Sequence, residues 1–262
     1  MTPDKLLLDV GGTFIKCSDG RTVPIDSAGS RDHIVAALRE VCTVTGDLRL
    51  CKLRAAVPGP FDYATGQFLM KHKFAAVYGE YFADIVGLPR ENCKFAHDVN
   101  CMLLGEISAD AGESRNTALG ALGTGLGFAM YVDGEILENE LGSPKVSIFN
   151  RPYRDGTLED YASKRGVLNL YGRNDLTVKE IADRAHAGEQ KAQEAFRQMG
   201  TIIGESIAPI LQEYKVERLL LGGQISRSAD LFTPALAESL AGIAISPISD
   251  FDNTTFNGLR AL

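Results

Sequence analysis

Residues 9–16 read Asp-Val-Gly-Gly-Thr-Phe-Ile-Lys and follow the apolar run Leu6, Leu7, Leu8. A carboxylate at the end of a buried strand, followed by two glycines, suits a polyphosphate and its cation. Gly11 and Gly12 lack the Cβ atoms that would keep a phosphate from main-chain N–H groups. Asp9 is placed to hold a hydrated divalent cation, and Thr13 and Lys16 to donate to phosphate oxygens. A second turn, Gly123-Thr124-Gly125-Leu126-Gly127, lies between the apolar runs 117–122 and 128–132. Two such hairpins, each opening a half of the chain, point to a nucleotide clamped between two similar domains. Neither is a Walker sequence or a dinucleotide fingerprint opening a helix. Taken alone, each also reads as an ordinary glycine hairpin.

Short strands and tight turns must hold these residues. Residues 6–10, 14–17 and 21–25 read as strands, with Asp19-Gly20 as a hairpin signal. Ile34, Val35, Leu38 and Val41 recur at helical spacing across residues 32–44. A strand over 50–57 ends at Pro58-Gly59-Pro60, and 61–73 is a loop or hairpin turning at Thr65-Gly66. A helix around 79–86, a strand over 92–96 and a helix over 100–109, with Leu103, Leu104 and Ile107 on one side, complete the first half. Residues 111–114 are the expected junction. The second half repeats the scheme, with a glycine hairpin over 118–132 and a short strand after Asp133-Gly134. Helices follow over 158–170, 177–186 and 189–213, the last containing Pro209. A strand over 218–221, the Gly222-Gly223 turn, a helix over 228–240 and a strand over 243–246 close it. The halves read as diverged copies of one strand–hairpin–helix unit.

The 262 residues are 45% hydrophobic and 23% charged, with a net charge of -7. This acidic surplus disfavours a nucleic-acid partner. No apolar run approaches the roughly 20 residues that cross a bilayer. The opening Met-Thr-Pro-Asp-Lys resembles neither a signal nor a transit peptide, so a cytoplasmic location without membrane contact is expected. Cys17, Cys42, Cys51, Cys93 and Cys101 form no Cys-x-x-Cys pair, and the four histidines show no metal spacing. Neither a zinc site nor a disulfide framework is expected.

Asp98 follows the 92–96 strand at the mouth of a helix, where ligand chemistry gathers in α/β domains. A carboxylate there can accept a hydroxyl proton as the oxygen attacks phosphorus. Asp is also a favoured helix N-cap. Five segments stand in order: residues 9–16; Val57-Pro58-Gly59-Pro60; His97-Asp98-Val99-Asn100 with Gly105-Glu106; residues 122–127 with Asp133-Gly134; and Leu221-Gly222-Gly223. Between the last two lie Glu140-Leu141-Gly142 and residues 156–163. In this order they resemble the ROK family of bacterial sugar kinases and regulators, within the actin/hexokinase/Hsp70 superfamily. The resemblance covers nearly the whole chain, including the tail at 252–259.

The resemblance implies an α/β fold of two actin-like ATPase (ribonuclease H-like) domains with a nucleotide and sugar cleft between them. Their expected bounds are 1–113 and 114–251, with a closing helix at 252–262 joining the first. The implied activity is ATP- and Mg²⁺-dependent phosphorylation of a hexose or hexose derivative, with Asp98 as base. Asp9 would hold magnesium through water. Gly11, Gly12, Thr13, Lys16, Gly123, Thr124, Gly125, Gly127, Gly222 and Gly223 would bind ATP, the last two on the adenosine side. Glu140 matches the acid of the family's Glu-x-Gly-His, and Glu159 the acid ending its cysteine-rich segment; both are sugar ligands. Gly59, His97 and Asp98 complete the implied sugar set.

Ser143 replaces the histidine of Glu-x-Gly-His, the zinc cysteines are absent, and His97 replaces the usual asparagine. The chain therefore resembles a zinc-free branch, and glucose as substrate is in doubt. His97 reads equally as a hydroxyl donor or a spacer. Residues 123–132 with 139–142 also resemble polyphosphate-dependent glucokinases, but Lys71, Lys73, Lys145, Arg151 and Arg154 form no basic track, which favours ATP. The rival reading is a catalytically silent sugar-sensing protein. The partner implied is a small-molecule sugar, and a homodimer is left open.

Overall fold

A computed structural model describes residues 5–43, 51–109 and 115–262. The expected 111–114 junction and the element ends expected at 44 and 50 lie outside them. The chain divides into two compact units. One comprises Met1–Ala111, Glu138–Pro144 and Asp252–Leu262; the other comprises Gly112–Leu137 and Lys145–Phe251.

In the first unit, β1 (Lys5–Val10), β2 (Phe14–Cys17) and β3 (Thr22–Pro24) form an antiparallel meander followed by α1 (Arg31–Val41). Next come β4 (Lys52–Val57), the hairpin β5 (Phe61–Asp62) and β6 (Gln67–Phe68), α2 (Phe82–Val86), β7 (Cys93–His97) and α3 (Asp98–Ala109). The sheet order is β3-β2-β1-β4-β7, with β1, β4 and β7 parallel. Parallel register pairs Asp9 with Ala56 and Val57 with His97. The carboxyl ends of the three strands thus lie side by side, the place for a ligand in a parallel α/β sheet.

Leu6, Leu7 and Leu8 are all buried, because both faces of β1 are covered. Leu6 and Leu8 face a core with Ile34, Leu38, Phe61, Phe68 and Phe82; Leu7 packs with Ala56, Cys101 and Leu259. Phe68 meets Phe61, Phe74 and Phe82 at ring distances of 5.1, 5.5 and 5.9 Å. Burying each such ring contributes about 1.5–3 kcal/mol, so the short hairpin β5–β6 is held by its aromatics.

The second unit repeats the order. It contains β8 (Thr117–Leu122), β9 (Leu126–Val132), β10 (Glu135–Ile136), β11 (Pro152–Tyr153), β12 (Gly156–Thr157), α4 (Leu158–Tyr161), α5 (Lys164–Tyr171), α6 (Val178–His186) and α7 (Gln190–Glu213). After these come β13 (Arg218–Gly222), a 3₁₀ segment Gln224–Leu231, α8 (Thr233–Glu238) and β14 (Ala244–Pro247). Its main sheet runs β10-β9-β8-β13-β14, with β8, β13 and β14 parallel. The buried stripe of α7, including Phe196, Met199, Ile203 and Ile207, centres this unit's core. Helix α7 runs unbroken through Pro209.

The final helix, α9 (Thr254–Ala261), belongs to the first unit and packs on α3. The contact is glycine to glycine. A Cβ on Gly105 would stand 2.1 Å from Thr254 O, and one on Gly258 1.9 Å from Cys101 O. The Thr254 hydroxyl donates to buried Glu106 at 2.9 Å.

Most element bounds differ from the sequence reading by one to three residues, and three differences bear on the packing of the sites. Helix α3 starts at Asp98 rather than 100, directly on β7. The expected 158–170 helix is two helices, broken where Ser163 is extended (φ −137°, ψ −174°). That break frees the Lys164 N–H to donate to Gly123 O at 2.8 Å. The expected 228–240 helix starts as 3₁₀ because Ser228 is non-helical. Residues Glu138–Pro144 pack with the first unit, tied there by the Tyr63 N–H to Leu141 O (3.0 Å).

Candidate functional site

In the first unit the glycine turn joins β1 to β2. The Gly11 N–H donates to Phe14 O at 2.9 Å, closing it tightly; a Cβ on Gly11 would meet that same oxygen at 2.9 Å. Ser27 and Ile25 then stitch the next loop to it, through Ser27 N–H to Gly12 O (3.0 Å) and Ile25 N–H to Thr13 O (2.9 Å). Among the described residues the N–H groups of Gly12 and Thr13 have no acceptor. Two successive free amides in a turn form a ready anion cradle.

Asp9 sits at the carboxyl end of β1, opposite Lys16 on β2. Burial, and then the nearby charge of Asp98, push its pKa up to about 6, against a smaller pull from Lys16. Asp98 behaves oppositely. Its carboxyl pays for burial, yet ends below the ordinary value because His97, the Val99 N–H and Lys73 outweigh that cost. His97 Nδ1 lies 2.8 Å from Asp98 Oδ1, where a proton on that nitrogen donates to the carboxylate, and the Val99 N–H points at the same nitrogen from 3.3 Å. The Val99 N–H also donates to Asp98 Oδ1 at 2.8 Å. Asp98 is therefore an oriented carboxylate at neutral pH, with 40% of its side chain still exposed.

The other side of His97 is crowded by small groups. A Cβ on Gly59 would lie 3.4 Å from both His97 Cδ2 and Ser143 Oγ. The Tyr63 ring is 5.9 Å from the His97 ring, and its hydroxyl donates to Val57 O at 2.8 Å. Asn100, 3% exposed, donates from Nδ2 to Glu138 Oε1 at 2.8 Å and to Gly142 O at 3.3 Å. Its Oδ1 is buried without a partner. Desolvation raises the Glu138 carboxyl, against the pull of Asn100 and His97. Glu140, the acid singled out in the sequence, is exposed and makes no hydrogen bond or ion pair among the described residues.

In the second unit the turn at 123–127 joins β8 to β9. The Gly123 N–H donates to Gly125 O at 3.0 Å, and the Leu126 N–H to Glu159 Oε2 at 2.9 Å. A Cβ on Gly125 would stand 2.7 Å from that carboxylate oxygen, so Gly125 lets Glu159 reach the backbone. The N–H groups of Thr124 and Gly125 have no acceptor among the described residues. Glu159 is presented from α4 by a capping box between Thr157 and Asp160. Gly223 (φ +80°) passes so close to β8 that a Cβ would meet Leu122 O at 2.2 Å. This brings Gly222 and Gly223 beside the 123–127 turn, while the Ser226 hydroxyl caps Gly222 O at 2.7 Å.

The structure thus gathers Asp9, Gly11, Gly12, Thr13, Lys16, His97 and Asp98 at one sheet end, with Gly59 beside His97. It gathers Gly123, Thr124, Gly125, Gly127, Glu159, Gly222 and Gly223 at the corresponding end of the other sheet. Sequence reasoning missed Glu138, Asn100, Tyr63, Ser27 and Lys73 as neighbours of these groups. Asn100, two residues after Asp98, carried a usable signal; the others lie in loops whose spacing carries none.

A model of the ROK family matches residues 44–256. A glucokinase of Halalkalibacterium halodurans is 24% identical over 182 residues, 59% of this chain and 55% of that protein. The DNA-binding transcriptional repressor Mlc of Escherichia coli is 22% identical over 228 residues, 77% of this chain and 55% of the repressor. The chain thus spans about half the length of these curated relatives. A crystal structure of a ROK family glucokinase from Streptomyces griseus, in complex with glucose and AMPPNP, superposes with a TM-score of 0.73 and 19% identity, covering 97% of both chains. The fold is the two-domain actin-like ATPase fold.

Proposed function

Since this chain belongs to the ROK family, we propose that it transfers the γ-phosphoryl group of ATP to a hydroxyl of a hexose or hexose derivative. The observation that carries this reading is Asp98. It is an ionised carboxylate, oriented by His97 Nδ1–H and the Val99 N–H, at the carboxyl end of β7. In this reading it takes the proton from the sugar hydroxyl as that oxygen attacks phosphorus. His97 is its positioning residue.

Hydroxyl recognition falls to the groups around His97. Glu138 offers an acceptor already aligned by Asn100, and the unpartnered Asn100 Oδ1 calls for a donor such as a hydroxyl. We assign Glu140 a weaker, outer contact and Gly59 a backbone contact. The free amides at 12 and 13, with Thr13 and Lys16, take phosphate oxygens. We assign the remaining nucleotide contacts to Gly123, Thr124, Gly125, Gly127, Gly222 and Gly223, with Glu159 bracing their turn.

The donors fit magnesium. Asp9 resists ionisation beside Asp98, and a cation would relieve that cost. Mg²⁺ keeps several waters and needs few carboxylates besides phosphate oxygens. Among the described residues no group of three or more His, Cys, Asp or Glu is placed to hold a metal by itself. When bound, Mg²⁺ would neutralise charge on the phosphate chain.

The test is transfer from ATP-Mg²⁺ and from polyphosphate across hexoses, amino sugars and N-acetyl sugars. A sugar phosphate that disappears with Asp98→Asn supports the reading. Sugar binding without transfer to any acceptor would replace it with the sensor reading that likeness to Mlc favours.

A further inference from the structure

Lys73 lies outside every motif of the sequence, yet it flanks the first glycine turn. A Cβ on Gly12 would stand 3.9 Å from both Cδ and Cε of Lys73 and 3.1 Å from Ser27 Oγ. The lysine stem therefore borders the turn, close enough that a side chain at Gly12 would touch it. Its ammonium reaches Asp98 electrostatically, since it helps hold that carboxyl down. Despite this nearby carboxylate, Lys73 makes no hydrogen bond or ion pair among the described residues. The next residue anchors it. Phe74 is fully buried, held at φ 51°, and its N–H donates to Ser27 O at 2.6 Å. A bulky residue in the left-handed region persists only where packing enforces it. Here packing against Phe68 fixes the backbone that carries Lys73.

The turn thus combines two free amides, two carboxylates, Asp9 and Asp98, and two lysines, Lys16 opposite Asp9 and Lys73 bordering Gly12. A phosphate chain entering there is repelled by both carboxylates unless cations sit beside it. We propose that Lys73 is a phosphate ligand, its ammonium taking an oxygen of the nucleotide's polyphosphate over the turn at Gly12. The inference rests on the reading of this turn as the phosphate site, but not on sugar phosphorylation.

The test is calorimetric titration of the full chain with ATP-Mg²⁺ and with inorganic tripolyphosphate, at low and moderate salt. Lys73→Met is expected to weaken both by about tenfold or more, the range of a charge-assisted contact. Lys73→Arg should retain most of the affinity. Lys71→Met should bind as the parent does, because Lys71 lies over the Tyr78 ring, 5.3 Å from its centroid. The acid limb of any pH–rate profile should move up in Lys73→Met, since the charge that lowers Asp98 is gone. Parent-like binding by Lys73→Met overturns the inference. So does an equal loss in Lys71→Met, which would mean bulk charge alone, and so does a parent chain that binds neither probe. A chain that binds both, loses binding in Lys73→Met and phosphorylates no sugar keeps the inference and discards the kinase reading.

Discussion

The two units share a sheet order and put a glycine turn at the same place, yet they load it differently. At 12 and 13 in one unit, and at 124 and 125 in the other, two successive amides are left free. Around the first turn stand Asp9, Asp98, Lys16 and Lys73, and the charges of the others act on the two carboxyls. At the second, the carboxylate of Glu159 is spent on the Leu126 N–H. On the function proposed above, one scaffold used twice separates tasks: the first unit would move a proton and hold a cation, whereas the second would present backbone. Charged groups cost desolvation, so concentrating them at one sheet end confines that cost to a single site.

The largest effect should come from Asp98→Asn. The amide keeps the shape and can still accept from the Val99 N–H, but it cannot take a proton. Transfer should fall by at least about a hundredfold, with ATP binding retained, measured by sugar phosphate formation and calorimetry. Near-parent turnover in the folded variant would erase the functional contrast between the units.

The second turn is probed by Glu159→Gln. The amide can still accept from the Leu126 N–H, so losing only the charge should cost about 1 kcal/mol at the turn, with a lower Tm and roughly fivefold weaker ATP binding. Glu138→Gln should instead raise the sugar KM by about tenfold and leave ATP affinity unchanged. If Glu159→Gln acts on the sugar KM alone, Glu159 is a substrate ligand and the second turn presents more than backbone.

These contrasts were partly legible in the sequence. Both glycine turns, most strands of the two main sheets and Asp98 follow from local patterns: apolar runs, Gly pairs, an acid at a strand end. The excursion of Glu138–Pro144 into the first unit did not, because it is fixed by long-range bonds from Tyr63 and Asn100. The same cause hid Glu138. The sequence pointed to Glu140 by motif position, while the carboxylate held against Asn100 stands two residues earlier. Glu159 was visible as a first-turn acid, but its bond to Leu126 depends on Gly125 leaving room.

Asp9→Asn tests the cost of crowding charge at the first turn. The folded chain holds the Asp9 proton up to about pH 6, whereas the unfolded chain releases it near 3.8. Stability should therefore be full below about pH 4, fall as pH rises through 6, and then level. Asp9→Asn removes that fall. At pH 7.5 it should be more stable by at most about 3 kcal/mol, yet poorer in Mg²⁺-dependent transfer; below pH 4 the two proteins should melt alike. A loss of stability at pH 7.5 would show that the carboxylate is already compensated in the parent.

The smallest effect is expected from Glu140→Gln. Glu140 is exposed and unpartnered among the described residues, so its charge contributes nothing to the fold that a melt would register. A solvent-facing contact to a sugar hydroxyl is worth about 0.5–1 kcal/mol, because water competes for the same oxygen. The sugar KM should then rise only about two- to fivefold, with Tm and ATP affinity unchanged. Glu138→Gln acts through a buried partner and should exceed it. If Glu140→Gln has the larger effect on the sugar KM, the motif position outweighs the Asn100 contact. The sugar subsite would then be reassigned to the outer carboxylate, and the orphan Asn100 Oδ1 would need another donor.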